Sequence, residues 1–167
     1  DRARARGGLA AAAETHIHAG GLDAALDLLA MADTGPLDDV QRAQADMIRA
    51  QLAFVTNRGS DAPPLLLKAA TRLGPVDPRL SRATHLDAVS AAIFAGRLAG
   101  AGAGVREIAR AVRAAPPPPA EPRVPDLLLD GTLASYTQGY AAALPSLRAA
   151  LAGFETGMPA EEELHWL

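Results

Sequence analysis

The amino-acid sequence predicts an all-α protein from two observations, its composition and an internal repeat. The chain has 167 residues, of which 49% are hydrophobic but only 4% aromatic, so its apolar content is mostly alanine and leucine. These residues favour helices, whereas strands are enriched in β-branched and aromatic residues. A chain of this length can also bury a sizeable core. We therefore expect residues 1–167 to form one helical domain.

Four glycines mark the repeat. Gly21, Gly59, Gly100 and Gly139 are 38, 41 and 39 residues apart. Eight residues after each glycine comes a large aliphatic residue (Leu29, Leu67, Ile108, Leu147). Three positions after that comes an alanine (Ala32, Ala70, Ala111, Ala150). Residues three apart share a helix face, and the small alanine lets two helix axes approach closely. The pattern predicts a right-handed α-solenoid of about four tetratricopeptide-like hairpins.

This register divides the chain into hairpins at residues 1–34, 37–73, 77–115 and 122–154, with the start of a further helix at 159–167. Because the chain begins at Asp1 rather than Met, we expect it to be a fragment of a longer protein. The segment AAPPPPAEPRVPD, residues 114–126, predicts a stiff polyproline-type connector between the last two hairpins. The alternative interpretation is a ligand for a proline-recognising module.

The corner NRGSDAPPLLLKAATRL, residues 57–73, carries two prolines at the front of a predicted helix. If Asp61 is the N-cap and accepts from the free backbone N–H groups, both prolines fall in the first turn, where a missing N–H costs little. The repeat register further predicts that Leu67 and Leu147 are core residues and that Lys68 and Arg148 are exposed. Pro145 predicts a late start or a kink in the last helix.

Charge and composition exclude several classes of function. The chain holds 16 cationic and 19 acidic residues, a net charge of −3, which is unfavourable for nucleic-acid binding by this fragment. It has no cysteine, and therefore no disulfide, thiolate nucleophile or cysteine zinc site, as is usual for a cytoplasmic protein. No apolar run approaches the ~18 residues of a membrane span.

Candidate catalytic and ligand-binding motifs are also missing. The glycines of GRLAGAGAGVRE, residues 96–107, do not follow the dinucleotide-binding spacing, and no phosphate-loop lysine follows them. His16 and His18 are two apart, and neither His85 nor His165 has a histidine four residues away. We expect no catalytic residue, no metal site and no cofactor in this fragment, and hence no enzyme.

The stretch NRGSDAPPLLLKAATRLGPVDPRLSRATHLDAVSAAIFAGRLA, residues 57–99, resembles the large ATP-binding regulators of the LuxR type. The most specific parts are RGSDAPPLLL and FAGRLA, and residues 20–59 and 125–154 look like the neighbouring repeats. In that family an ATPase precedes a helical-repeat region like that of the maltose-regulon activator, and a helix-turn-helix follows it. Only the repeat region is matched, so ATP is expected only in an upstream domain.

The resemblance implies a sensing and protein-interaction region that binds an inducer or partner and controls oligomerisation. Its expected partners are a protein or small-molecule inducer, other domains of the parent regulator, and a second copy in a homodimer. The alternative is a free-standing adaptor that holds a peptide in its concave groove. The family-motif and repeat-core positions are Arg58, Gly59, Asp61, Leu67, Ala70, Arg97, Leu147 and Ala150.

Overall fold

The computed structural model describes residues 38–55, 60–98, 102–116 and 121–156, together with residues 21, 24, 27 and 29–31. This part of the chain contains helices and no strand, which confirms the predicted all-α class for it. The helices are α1 (Asp39–Val55), α2 (Ala62–Leu73), α3 (Pro78–Ala95), a short 3₁₀ helix (Gly96–Leu98), α4 (Val105–Ala114), α5 (Val124–Thr137) and α6 (Tyr140–Thr156).

Helix α2 begins where the sequence predicts, but not with the predicted cap. Asp61 is the N-cap residue and Pro63 lies buried in the first turn. The backbone of Asp61 has helical angles (φ −88°, ψ −19°), and its carboxylate accepts no backbone hydrogen bond, so the predicted capping bond is wrong. A capping residue needs an extended backbone. Asp77 has one (φ −140°, ψ 90°), and it caps α3 by accepting from the Leu80 N–H at 3.0 Å.

Neighbouring helices pack in alternating directions. In the antiparallel pair α1 and α2, Ala50 clusters with Ala62, and Ala43 clusters with Leu73. Helices α5 and α6 are also antiparallel, because Leu147 packs on Gly131 and Gly153 packs on Val124.

Helices α3 and α5 instead run in the same direction. The Arg123 guanidinium donates to the Arg79 carbonyl at 3.1 Å, and Arg82 donates to Asp126 at 2.8 Å, so each contact joins residues 44 apart. These two helices lie at the start of the predicted hairpins 77–115 and 122–154.

The main hydrophobic core lies between α3, α4 and α5. Among the described residues, it contains Leu86, Val89, Ile108, Leu129 and Leu133 with several alanines and no aromatic side chain. Two smaller clusters of mostly alanine join α1, α2 and α3. Alanine at these contacts permits a short distance between helix axes, in agreement with the composition of the chain.

The repeat register is only partly reflected in burial. Leu29, Ile108, Ala70 and Ala150 are buried, and Lys68 and Arg148 are exposed as predicted, but Leu67 and Leu147 are half-buried rather than core residues, and so is Ala111. Leu67 packs at the edge of the main core, whereas Leu147 packs over Gly131 of α5. Positions that are equivalent in sequence therefore meet different neighbours.

The chain reverses within two residues between α5 and α6. Gly139 takes a left-handed backbone (φ 96°), which a glycine adopts without strain. Helix α6 consequently starts at Tyr140, so of the late start or kink predicted from Pro145, the late start does not occur. Pro145 lies inside the helix on its exposed side.

The connector between α4 and α5 has extended ends. Ala115 (φ −73°, ψ 163°) and Arg123 (φ −80°, ψ 168°) lie close to the polyproline II conformation. Most of the predicted hairpin 1–34, the segment 159–167, and the motif residues Arg58 and Gly59 lie outside the described residues.

Candidate functional site

The first half of α3 carries an unusual set of buried polar side chains. Ser81, Arg82, Thr84 and His85 are all buried, although α3 is otherwise apolar on its packed faces. Polar groups in a protein interior are normally hydrogen-bonded, and a charge there needs a partner. We use the name polar joint for Ser81, Arg82 and His85 of α3 together with Asp126 and Asp130 of α5.

The centre of the polar joint is a buried ion pair. Arg82 is 5% exposed and Asp126 is fully buried. The Arg82 Nε donates to Asp126 Oδ1 at 2.8 Å, and one terminal nitrogen donates to Asp130 Oδ1 at 2.7 Å and to the Asp126 carbonyl at 3.2 Å. Guanidinium groups suit such multiple pairing because their donors lie in a rigid plane. The contact fixes both the position and the direction of α5 against α3.

Asp126 is also held by the start of its own helix. Its Oδ2 accepts from the Arg123 backbone N–H at 3.0 Å and from Arg123 Nε at 3.2 Å. Both carboxylate oxygens are therefore hydrogen-bonded, one toward α3 and one toward the first turn of α5. A carboxylate near a helix N-terminus is further favoured by the helix dipole.

The other side of the polar joint contacts α2. The Ser81 hydroxyl donates to the Ala70 carbonyl at 2.7 Å, and His85 Nδ1 lies 2.8 Å from the Ser81 carbonyl. A carbonyl oxygen only accepts, so Nδ1 carries the ring hydrogen. The Ser81 hydroxyl oxygen also lies 3.5 Å from His85 Nδ1, but in this arrangement the hydroxyl donates to Ala70 and Nδ1 donates to the Ser81 carbonyl.

The remaining ring nitrogen of His85 is buried and has no hydrogen-bond partner. Burial lowers the pKa of His85 below its ordinary value near 6.5; the Ser81 carbonyl opposes this by raising the pKa, and the Arg82 charge lowers it further. The folded protein thus favours the neutral imidazole. Through this one turn of α3, the polar joint connects α2, α3 and α5.

A second buried charge ties α1 to α2. Asp46 of α1 is 1% exposed and pairs with Arg49 on its own helix at 3.1 Å. From α2 it accepts Arg72 at 2.5 Å and Lys68 at 3.4 Å. Each of the three cations is partly exposed, so the cluster lies at the rim of the helix pair.

The predicted residues that the structure describes lie on α2 with its cap, the 3₁₀ helix and α6, and they are not brought together. Asp61 and Arg97 are exposed, on the cap of α2 and in the 3₁₀ helix, while Leu67 and Leu147 are on different helices. Ala150 is buried in α6. Only Ala70 touches the polar joint, through its carbonyl.

Sequence reasoning missed Arg82 and Asp126. The available signal was the dense polar run SRATH in an alanine-rich helix, followed by an aspartate 44 residues after the arginine, close to the repeat length.

The comparisons with known proteins assign no family. No protein-family model matches the chain, and neither the curated proteins nor the solved structures contain a match. Within the described residues, no three His, Cys, Asp or Glu side chains are grouped as a metal site would require. None of the helices described is long and apolar enough to cross a membrane.

Proposed function

We propose that the chain is the non-catalytic, helical-repeat sensing and protein-interaction region of a LuxR-type ATP-binding transcriptional regulator, working in the cytoplasm. The observation that supports this best is the parallel packing of α3 and α5, joined by the buried Arg82–Asp126 pair. In stacked hairpins, the first helix of each unit runs parallel to the first helix of the next. The family named in this proposal comes from the resemblance of residues 57–99 to the LuxR-type regulators.

The proposed mechanism is binding that shifts a conformational equilibrium. An inducer or partner that contacts both α3 and α5 stabilises the closed polar joint, whereas one that separates them must expose Arg82 and Asp126. A ligand shifts such an equilibrium only by its difference in affinity for the two states. The change in helix packing would pass to the ATPase and DNA-reading domains of the parent protein and control its oligomerisation.

A free-standing adaptor is the second candidate, and one feature of α3 favours it. Among the α3 residues that reach solvent, Arg79, Ala83, Asp87, Ser90 and Phe94 recur at helical spacing. These residues are three or four apart and so form one line along the helix. A peptide that crosses this line would contact the first helices of successive hairpins, which face the groove of a solenoid.

The reading frame beyond both ends of the chain separates the two candidates. The regulator hypothesis requires an ATPase before these residues and a helix-turn-helix after them. An open reading frame that encodes neither would refute the regulator hypothesis and leave the adaptor.

The purified chain provides a second test. We expect it to bind neither ATP-magnesium in calorimetry nor duplex DNA in a low-salt mobility shift, because both activities belong to other domains of the parent. Saturable micromolar binding of either ligand would contradict the assignment.

A further inference from the structure

The helix pair of α1 and α2 is basic, although the whole chain is acidic. Helix α1 contains two aspartates and two arginines, and α2 contains one lysine, one arginine and no acidic residue. The two helices together therefore carry a charge of +2, against −3 for the chain. Because Asp39 forms an exposed pair with Arg42, the excess positive charge belongs to the other aspartate of α1 and the cations around it.

Contacts between the two helices gather this excess around Asp46. Asp46 Oδ1 accepts from Arg49 at 3.1 Å and from Lys68 at 3.5 Å. Asp46 Oδ2 accepts from Arg72 at 2.5 Å, and Lys68 Nζ lies 3.4 Å from it. Lys68 Nζ is therefore within about 7 Å of both arginine nitrogens, because it shares one carboxylate oxygen with each. We call Arg49, Lys68 and Arg72 the basic cluster.

A single carboxylate cannot balance the three cations of the basic cluster. Asp46 is buried, whereas the three cationic side chains are 29%, 53% and 31% exposed, so the cations lie between the carboxylate and solvent. Among the described residues, the side chains of Lys68 and Arg72 have Asp46 as their only partner, although a guanidinium has five N–H donors and an ammonium three. Positive charge and several donors therefore remain on the solvent side, where the cations repel one another.

A phosphoryl group has the chemistry that complements this surface. It carries a charge of about −1.5 to −2 at neutral pH and offers three strong acceptor oxygens. Guanidinium groups pair with phosphate through two donors, and lysine binds phosphate as a point charge. A carboxylate has one charge and two oxygens, so it would leave part of the excess unbalanced. Neither α2 nor the part of α1 after Asp46 contains another acidic residue that could take this place.

We propose that the basic cluster binds a phosphoryl group, carried either by a small phosphorylated molecule or by a phosphorylated side chain of a partner protein. The group lies on the solvent side of the three cations, with Asp46 beneath them. Asp46 acts as a positioning residue, because it holds cations from two helices close enough to share one anion. The site lies on α1 and α2, so this inference goes beyond the proposed function and does not depend on it.

Calorimetric titration of the chain with inorganic phosphate tests the proposal, with sodium chloride holding the ionic strength constant. Lys68→Gln removes one charge of the basic cluster, and Lys68→Arg keeps it. Lys68 is the most exposed of the three cations and the farthest from Asp46, so its substitution should disturb the fold least. Arg110→Gln is the matched control, because it removes the same charge from α4, where Arg110 pairs with Glu107 at 2.6 Å.

We expect one phosphate to bind each chain saturably, and sulfate, an anion of similar shape and charge, to displace it. Lys68→Gln should bind phosphate about tenfold more weakly, as for the loss of one charge-assisted hydrogen bond. Lys68→Arg and Arg110→Gln should bind it within about twofold of the unaltered chain. In thermal melts, which also show that each variant is folded, phosphate should raise the unfolding midpoint of the unaltered chain more than that of Lys68→Gln.

The proposal is overturned if phosphate shows no saturable binding beyond that of chloride, if Lys68→Gln binds as tightly as the unaltered chain, or if Arg110→Gln weakens binding as much. Glycerol phosphate and a peptide with phosphoserine between two alanines then identify the source of the group. Tighter binding of glycerol phosphate than of inorganic phosphate supports a small-molecule ligand, and tighter binding of the peptide supports a partner protein. If neither displaces inorganic phosphate, the cluster holds an adventitious ion only and the proposal is wrong.

Discussion

The substitution Asp126→Asn tests the polar joint most sharply. It keeps the shape of the side chain but removes the charge that faces Arg82, which is only 5% exposed. The guanidinium would then depend on Asp130, whose side chain is 42% exposed and therefore screened by water. Removing one partner of a buried ion pair lowers the free energy of unfolding by about 3–5 kcal/mol. Because Asp130 still contacts Arg82, we expect the lower end of this range, about 3 kcal/mol.

The assay is equilibrium denaturation at neutral pH, with thermal unfolding as a second readout. For a protein of this size, a loss of about 3 kcal/mol lowers the midpoint by roughly 6–12 °C. Asp39→Asn is the matched control, because Asp39 forms an exposed pair with Arg42 at 3.0 Å on α1. Exposed pairs of this kind contribute at most about 1 kcal/mol.

A double substitution separates the cost of an unpaired charge from lost packing. If the charge is responsible, Arg82→Met/Asp126→Leu should be far less destabilising than Asp126→Asn, because apolar residues of similar volume often replace a buried ion pair without loss. The reasoning is refuted if Asp126→Asn costs no more than Asp39→Asn, or if the double variant is as unstable as the single one.

Three further predictions concern pH and packing. The pKa of His85 is lowered on folding, so the unfolded chain binds more protons just below pH 6.5; the free energy of unfolding should fall as pH drops below 6.5. In a pH series of denaturant melts, His85→Gln should make that fall shallower, and an unchanged profile would contradict the assignment. Gly131→Ala should lower the free energy of unfolding by about 1–3 kcal/mol, because the added Cβ would lie 2.6 Å from the Leu147 side chain. Adding Leu147→Ala should recover part of this loss. No change on Gly131→Ala would show that α5 and α6 are farther apart. Ile108→Ala, at a fully buried site, should lower the free energy of unfolding by about 2–5 kcal/mol. Leu67→Ala, at a half-buried site, should lower it by less. The reverse order in denaturant melts would contradict the core as described.

Helix positions were predictable from the sequence because they depend on local signals. The start of α2 at Ala62 followed from the tolerance of a first helical turn for prolines, and its end at Leu73 was also predicted. The conformation of Asp61 was not predictable, since the choice between a helical and an extended backbone at a cap depends on the preceding chain. The start of α6 was also not predictable from Pro145, because the left-handed turn at Gly139 decides where this helix begins.

The polar joint could not be predicted because it is built by contacts between distant residues. Arg82 and Asp126 lie on separate helices, and although SRATH is an unusually polar run, it does not show which of its side chains are buried or which residue pairs with them. In the sequence, His85 has no neighbouring histidine that would indicate a metal site, and no local feature marks it as buried. Its burial depends on the packing of α3 between α2 and α5. Burial of that kind arises only when the whole set of helices is assembled.

The proposed stacking of the hairpins is tested most directly by distances between spin labels. The chain has no cysteine, so pairs of introduced cysteines at exposed positions are labelled uniquely. If α3 and α5 are parallel, the pairs Arg79→Cys/Glu121→Cys and Arg97→Cys/Gln138→Cys should both be close. The Arg79→Cys/Gln138→Cys distance should be clearly longer than either, because its two ends are also separated by a rise of more than about 20 Å along α3. A short Arg79 to Gln138 distance together with a long Arg79 to Glu121 distance would show the two helices antiparallel and contradict the stacked-hairpin account.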